Sequence, residues 1–160
     1  MLSPRIPGVG PQGLPVRQTA ARAKVTDVGP EYRLVVEGPH RLELTPADLA
    51  AFPQRSERLP ITCVEGWSAS ATWTGVRLGD LLEAAGLPRD TEVTVESLQE
   101  RGLYRKSTVA PPHAASPRTL LATGLNGALL DRDHGYPVRL IAPNRPGVMQ
   151  TKWVTKVAPA

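Results

Sequence analysis

Cys63, the single cysteine of the chain, is the side chain that could take part in the widest range of chemistry. It follows the apolar residues 59–62 and shortly precedes Gly66, where a strand is expected to meet a loop. A thiolate at such a place can serve as a nucleophile or as a soft metal ligand. A lone cysteine on an apolar strand is otherwise a small buried hydrophobic residue. A cysteine-protease arrangement would need an orienting histidine, and His40, His113 and His134 all stand in turn-like contexts without a local motif.

Arg139 is the second candidate, because it stands among the apolar residues 138–142 directly after a charged turn at 131–135. A buried arginine requires a partner, and its planar fork matches either a carboxylate or a phosphate. A structural ion pair with an acid such as Asp131 or Asp133 explains the pattern equally well. The residue types alone therefore leave both partners open.

A third candidate is the loop 144–153, which contains Gly147 and Lys152. Its backbone amides and the lysine can cradle an anion, although an ordinary basic hairpin has the same composition. Residues 1–24 and 137–160 each carry four basic residues and no acid, whereas residues 25–136 carry 11 basic and 15 acidic residues. This distribution argues against a uniformly basic nucleic-acid-binding surface. Two cationic ends that converge would suit one small anionic ligand, and solvated termini would also explain them.

The 160 residues, with a mass of 17.2 kDa, are enough for one domain with a hydrophobic core, and 41% of them are hydrophobic. No apolar run is long enough to span a membrane, and the N-terminus lacks the apolar stretch of a signal peptide. A single cysteine excludes an internal disulfide framework and any multi-cysteine metal site.

The chain is predicted to consist of short strands and short helices. Residues 1–23 form an irregular arm rich in proline and glycine, and residues 24–160 form the domain. Strands are expected at 32–37, 41–44, 59–65, 91–96, 137–141 and 152–157, and helices at 45–52, 78–85 and 116–122. Because strands alternate with helices without long βαβ units, we expect an α+β fold with mixed or antiparallel sheets.

Taken together, these segments resemble the molybdopterin-binding catalytic domain of the sulfite oxidase and bacterial sulfoxide reductase superfamily. The resemblance covers residues 25–157. It is carried by the segments 63–68 (CVEGWS), 73–76 (WTGV), 126–127 (NG), 134–140 (HGYPVRL) and 152–154 (KWV). The sequence is most similar to the soluble C-terminal domains of membrane-anchored molybdopterin oxidoreductases of bacteria. The resemblance implies the sulfite-oxidase-type fold and a molybdenum-molybdopterin cofactor.

The resemblance also implies roles for particular residues. Cys63 would be the thiolate ligand of molybdenum, and Tyr104 would stand over the metal and contact the substrate. The cofactor contacts would come from residues spread along the chain: Arg17, Ser97, His134, Arg139, Gln150, Thr151 and Lys152. Arg17 stands where bacterial relatives have an asparagine. Arg139 and Lys152 would contact the pterin phosphate.

The implied activity is oxygen-atom transfer to or from a small sulfoxide-like or sulfite-like substrate. Electrons are expected to pass to a haem or quinone partner at a membrane, and no nucleic acid is expected. Because residues 64–67 are neutral to acidic where sulfite oxidases have a basic stretch, sulfite is the less favoured substrate. The rival hypothesis is a non-catalytic binding or assembly module with the same fold. If the chain is complete we expect it in the cytoplasm, and if it is an excised domain we expect it on the extracytoplasmic face of a membrane.

Overall fold

The computed structural model describes residues 12, 19–25, 28–62, 68–99, 102, 105–143 and 150–160. At 60–62 and 68–70 it describes the backbone only. In chain order the elements are β1 (Leu34–Val36), β2 (Leu42–Leu44), α1 (Pro46–Ala50), β3 (Arg55–Thr62), β4 (Ser68–Arg77), α2 (Leu78–Ala84), β5 (Val93–Ser97), β6 (Lys106–Val109), α3 (Pro111–Ala115), β7 (Leu120–Leu125), β8 (Ala128–Leu129), a 3₁₀ helix (Arg132–His134), β9 (Arg139–Ile141) and β10 (Val154–Pro159).

The first sheet is mixed and has the strand order β2-β1-β10-β5-β6. Its only parallel pair among the described strands is β1 with β10, in which Val35 lies opposite Lys156. The neighbouring pairs are antiparallel, and Val93 and Val95 of β5 are completely buried. The last strand of the chain therefore lies at the centre of this sheet, so the residues just before it enter the protein interior.

The second sheet is antiparallel, with the order β3-β4-β7-β8 and β9 paired to β7. The long β3–β4 pair runs from Arg55 opposite Gly75 to Thr62 opposite Ser68. Asn126 and Gly127 join β7 to β8 with φ of 51° and 87°, as expected for a tight hairpin turn. One mixed sheet, one antiparallel sheet and short helices confirm the predicted α+β class.

The predicted hairpin at 32–44 and the helices after Thr45 and Arg77 are confirmed. Helix α1 begins with a capping box: the Thr45 hydroxyl accepts from the Asp48 amide at 3.0 Å, and the Asp48 carboxylate accepts from the Thr45 amide at 2.9 Å. Proline occupies the first turn of this helix, where its missing N–H costs nothing. Among the described residues, no helix is long and apolar enough to cross a membrane.

The predicted helix at 116–122 is wrong. Residues Leu120–Leu125 form strand β7, and the helix of this region is Pro111–Ala115. Strand β7 is paired on one side with β4 and on the other with β8 and β9, so its first three residues are all buried. A short apolar run buried on both faces has no two-residue periodicity, and it cannot be distinguished from a helical segment by pattern alone.

The hydrophobic core has three parts within the described residues. The largest is formed by the first sheet together with helix α2 and the flanking strands. A second cluster surrounds Trp73 on the other sheet. A third, small cluster consists of Ala20, Ala23, Val25 and Trp153. This last cluster joins the segment 19–25 to the residues just before β10.

Candidate functional site

A charged turn before β9 forms one side of the candidate site. Asp131 caps the 3₁₀ helix, because its carboxylate accepts from the Asp133 amide at 2.8 Å. The helix ends at Gly135, whose φ of 115° lies in the left-handed region. A Cβ atom at Gly135 would lie 3.1 Å from the Cβ atoms of Arg139 and Lys152. Glycine therefore allows these two basic residues to approach the turn closely.

The segment 150–154 forms the other side of the site and runs beside residues 135–140. The Leu140 amide donates to the Thr151 carbonyl at 2.8 Å, and the Val154 amide donates to the Val138 carbonyl at 2.9 Å. These backbone bonds bring Lys152 beside the start of β9, where Arg139 lies. The two cations are thus close in space although they are thirteen positions apart in the sequence.

Arg139 is only 4% exposed. Its guanidinium donates to the His134 carbonyl at 3.3 Å and stacks over Trp73, with its central carbon 5.0 Å from the ring centroid. Its Nε is buried without a hydrogen-bond partner. Within the part of the chain that the structure describes, no carboxylate forms an ion pair with it, and burial lowers its pKa to about 10.

The partner of Arg139 is thus not Asp131 or Asp133, which the sequence left as alternatives to an external anion. The two carboxylates accept backbone amides instead. Burying a guanidinium without a countercharge is costly unless a ligand supplies one.

Lys152 is half-buried next to this guanidinium. Its ammonium donates to the Asp133 carbonyl at 2.7 Å and lies 5.5 Å from the centroid of the Trp153 ring. Burial, and after it the positive charge of Arg139, lower the pKa of Lys152 to about 7, although the Asp133 carboxylate acts in the opposite direction. An anion bound here would restore the charged form of the lysine.

The other candidate residues that the structure describes lie around these two cations. His134 is 1% exposed, in the turn that contacts both. The Gln150 side-chain oxygen accepts from the Ala142 amide at 3.0 Å, and the Thr151 hydroxyl pairs with Ser107 at 2.8 Å. Gln150 and Thr151 thereby fix the strand-like course of the chain before Lys152.

Ser97 lies at the end of β5 and contacts the backbone of the same segment. Its hydroxyl donates to the Lys152 carbonyl at 2.7 Å and accepts from the Gln99 amide at 3.0 Å. Both contacts within the protein hold the backbone of Lys152. We therefore infer that Ser97 acts on the site through Lys152.

Three of the predicted site residues, Arg17, Cys63 and Tyr104, lie outside the described residues. Cys63 directly follows the last described residue of β3, Thr62. Its assignment to the metal remains a prediction from the sequence.

Two contacts of the site were not identified from the sequence. Trp73 supplies the ring under Arg139, and Asp133 supplies the carbonyl that receives Lys152. Trp73 lies on β4, and only the pairing of β4 with β7 and of β7 with β9 brings it to Arg139. No local pattern indicates this contact, because it depends on the registers of two strand pairs.

Comparisons with known proteins place this geometry in a family context. The family model "Oxidoreductase molybdopterin binding domain" matches residues 20–159. Rat mitochondrial sulfite oxidase is 30% identical over 174 aligned positions, which cover 90% of this chain and 32% of the relative. The catalytic subunit MsrP of the protein-methionine-sulfoxide reductase of Xanthomonas campestris is 36% identical over 109 positions, which cover 61% of this chain and 34% of MsrP.

A solved structure shares the fold. The sulfane dehydrogenase SoxCD of Paracoccus pantotrophus matches with a TM-score of 0.73 and 24% identity, over 84% of this chain and 39% of that chain. The chain spans about a third of the length of the curated relatives named above. The family model, in contrast, extends over nearly the whole chain. The resemblance predicted from the sequence is therefore confirmed, and the chain belongs to the family of molybdopterin-binding oxidoreductase domains.

Proposed function

We propose that this domain holds a molybdenum-molybdopterin cofactor through a cationic pair, the buried Arg139 and the half-buried Lys152, and uses it for oxygen-atom transfer at a sulfur-containing substrate. The observation that carries the proposal is the uncompensated charge of Arg139. Its guanidinium is buried, its Nε has no partner, and no carboxylate of the described residues pairs with it. A phosphate group supplies both the charge and the acceptor atoms that this arrangement lacks.

The donor set fits the phosphate end of the cofactor. Two cations lie side by side, and the low pKa of Lys152 reflects burial and the repulsion from Arg139, both of which a dianion would offset. Trp73 supports one face of the Arg139 guanidinium and leaves its edge for hydrogen bonds. His134, Gln150 and Thr151 lie within the same pair of segments and would line the pterin.

Cys63 would supply the thiolate ligand of the metal, since a soft donor suits molybdenum beside the dithiolene sulfurs. When bound, the cofactor supplies the two-electron redox chemistry and the oxygen-atom transfer. The protein residues bind the phosphate, orient the pterin and keep its surroundings dry. Tyr104 would contact the substrate, and Arg17 would contact the pterin from the N-terminal arm.

The substrate proposed here is a sulfoxide rather than sulfite. The relatives include a sulfite oxidase and a methionine-sulfoxide reductase subunit. Residues 64–67, which follow Cys63, contain Glu65 and no basic residue, so a sulfite dianion would meet repulsion there. A neutral sulfoxide meets none. Its reduction consumes two electrons and two protons and releases a thioether and water, with the electrons supplied by a haem or quinone partner.

The first experiment tests the phosphate site through cofactor content. Wild-type protein and the variants Arg139→Met and Arg58→Met are produced in a host that makes molybdopterin. Molybdenum is measured by mass spectrometry, and the pterin by fluorescence after oxidative release. Arg58 is an exposed arginine of β3, so its variant controls for the lost charge. We expect Arg139→Met alone to lose most of its cofactor during gel filtration. Equal retention by the three proteins would refute the phosphate assignment.

The second experiment tests the role of Cys63. Cys63→Ser replaces a soft donor with a hard one, and we expect it to abolish the reduction of methionine sulfoxide by a reduced viologen dye. The pterin should remain largely bound, because Arg139 and Lys152 still hold its phosphate. Full activity of this variant would exclude Cys63 as the metal ligand. A wild-type protein that binds no molybdenum would instead favour the non-catalytic module.

A further inference from the structure

The segment 19–25 is a compact turn that packs against the residue next to Lys152. The Ala23 amide donates to the Thr19 carbonyl at 3.0 Å, and the Val25 amide donates to the Ala20 carbonyl at 2.9 Å. Ala20 is completely buried against Trp153, whose indole N–H donates to the Arg132 carbonyl at 2.6 Å. This turn therefore lies against both segments that form the cationic pair.

Asp133 connects the turn 19–25 with the cationic pair. Its carboxylate accepts from the Ala20 amide at 2.8 Å, whereas its backbone carbonyl accepts from the Lys152 ammonium at 2.7 Å. Within the described part of the chain, its carboxylate forms no ion pair. The charge of Asp133 is thus directed at a backbone amide, although a cation lies at its own carbonyl.

An unrestrained Asp133 carboxylate would be an internal competitor for this site. It already acts electrostatically on Lys152, and a rotation of its side chain would bring an anion to the ammonium that the carbonyl now holds. A carboxylate so placed would neutralise part of the cationic pair and repel an incoming phosphate.

We propose that Ala20 is a positioning residue for the cofactor site: its backbone N–H holds the Asp133 carboxylate away from Lys152 and so preserves the positive charge of the pair for the phosphate. This inference rests on the proposed phosphate-binding role of Arg139 and Lys152. It assigns to the segment 19–25 a function in anion selection in addition to its packing.

The variant Ala20→Pro removes the N–H at a position where the backbone of the turn accepts proline. Ala20 is completely buried against Trp153, so the larger ring must also be accommodated there, and the double variant described below controls for that packing change. The Thr19 hydroxyl accepts from the Arg22 amide at 3.2 Å, and the Thr19 carbonyl accepts from Ala23, so Thr19 caps a single helical turn. Ala20 is then the first residue of that turn, a position at which proline is favoured and no N–H is used within the turn. The hydrogen bond from the Ala20 amide to the Asp133 carboxylate is the contact that this substitution removes.

The experiment measures the fraction of cofactor that each protein retains after gel filtration at a pH below the pKa of Lys152. It compares wild type, Ala20→Pro, Asp133→Asn and the double variant. We expect Ala20→Pro to lower the cofactor affinity on the order of tenfold, because the released carboxylate competes with the phosphate. In the double variant the competitor is neutral, so the affinity should return to within about threefold of Asp133→Asn alone. Asp90→Asn, which removes an exposed acid, controls for the change in net charge.

The recovery of cofactor affinity in the double variant distinguishes the proposed role of Ala20 from a purely structural one. If Ala20→Pro merely loosened the turn, the double variant would lose the cofactor as well, and that result would overturn the proposal. So would an Ala20→Pro protein with wild-type affinity. Limited trypsin cleavage at the exposed Arg22 and Lys24 reports whether the turn stays docked.

A second variant covers the case in which Ala20→Pro does not fold. Asp133→Glu keeps the charge but extends it past the Ala20 amide, so we expect it to weaken cofactor binding whereas Asp133→Asn does not. Equal affinities of the two would overturn the inference. If Arg139→Met and Lys152→Met retain cofactor as well as wild type, the phosphate assignment itself is refuted. If these two variants lose cofactor but the Ala20 and Asp133 variants do not behave as expected, only the role of Ala20 is refuted.

Discussion

The pH dependence of cofactor retention follows from the environment of Lys152. In the cofactor-free protein its pKa is lowered from 10.5 to about 7, chiefly by burial and then by the charge of Arg139. A bound phosphate dianion stabilises the ammonium and raises that pKa again. Binding therefore requires the protonated lysine, and above about pH 7 it must take up a proton.

The size of the effect follows from this linkage. Each pH unit above the pKa of the free site costs a factor of about ten in affinity, or about 1.4 kcal/mol. At about pH 7 roughly half of the free sites carry the protonated lysine, and at about pH 9 roughly one in a hundred does, so the cofactor should bind about 50-fold more weakly, a loss of ~2.3 kcal/mol. The phosphate monoester is already a dianion over this range, because its second pKa is about 6, so the slope reports the protein.

The assay is the retention of pterin and molybdenum after gel filtration of the loaded protein across this pH range. Lys152→Gln should bind more weakly at neutral pH and show a flat profile, because the titrating group is gone. Lys156→Gln removes a partly exposed lysine of β10 and should keep the wild-type slope. A wild-type profile that is flat between about pH 7 and 9, or a Lys152→Gln profile that keeps the slope, would refute the reasoning.

The cofactor-free protein should respond to pH with the opposite sign. The folded state binds the Lys152 proton less tightly than the unfolded chain, so the unfolded state carries more protons between the two pKa values. Stability therefore rises with pH from about 7 to 10.5 as this penalty disappears. Thermal unfolding of the cofactor-free wild type and Lys152→Gln should show this rise in the wild type alone.

Three further predictions concern the residues around the site and the fold. Arg139→Met should stabilise the cofactor-free protein while weakening cofactor binding by about 2–5 kcal/mol, and melting curves with equal losses in both states would exclude the phosphate role. Trp73→Leu should lower cofactor affinity severalfold through loss of the ring under Arg139, and Trp73→Phe should retain most of it; identical affinities of the two would contradict the stacking argument. Thr45→Ala should cost about 1 kcal/mol in chemical denaturation by removing a helix cap and leave cofactor content unchanged.

The elements with local signals could be predicted from the sequence. The hairpin at 32–44, the helix after Thr45 and the helix at Leu78 each have turn residues, a capping box or a 3.6-residue apolar pattern. At strand β7 the sequence wrongly predicts a helix, because the three leading residues of this strand are buried on both faces by strands far away in the chain. The order of apolar and polar residues shows which faces of an element are buried. It distinguishes a helix from a strand only where one face of the element stays exposed.

In the candidate site, too, the features with a local signal could be predicted from the sequence and those that depend on tertiary pairing could not. Arg139 was identifiable because a charge among apolar residues is unusual, and Lys152 because it stands in a glycine-bearing basic loop. Their proximity, and the absence of an acidic partner for Arg139 in the described residues, come from backbone pairing between residues 135–140 and 150–154. That pairing is tertiary, so the sequence left phosphate and carboxylate as equal alternatives.

The arrangement around Asp133 explains how the buried Arg139 and the half-buried Lys152 can coexist with an acid beside them. If the Asp133 carboxylate also approached the Lys152 ammonium, the cofactor-free domain would be more stable, since this carboxylate would offset part of the charge of the cationic pair. It would also close the site to phosphate. The Ala20 amide instead satisfies the carboxylate at 2.8 Å, and the Asp133 carbonyl holds the lysine at 2.7 Å. On the proposed assignment, the burial of Arg139 without a countercharge carries an electrostatic cost that a bound phosphate would offset, so the same feature that would favour cofactor binding would lower the stability of the protein without cofactor.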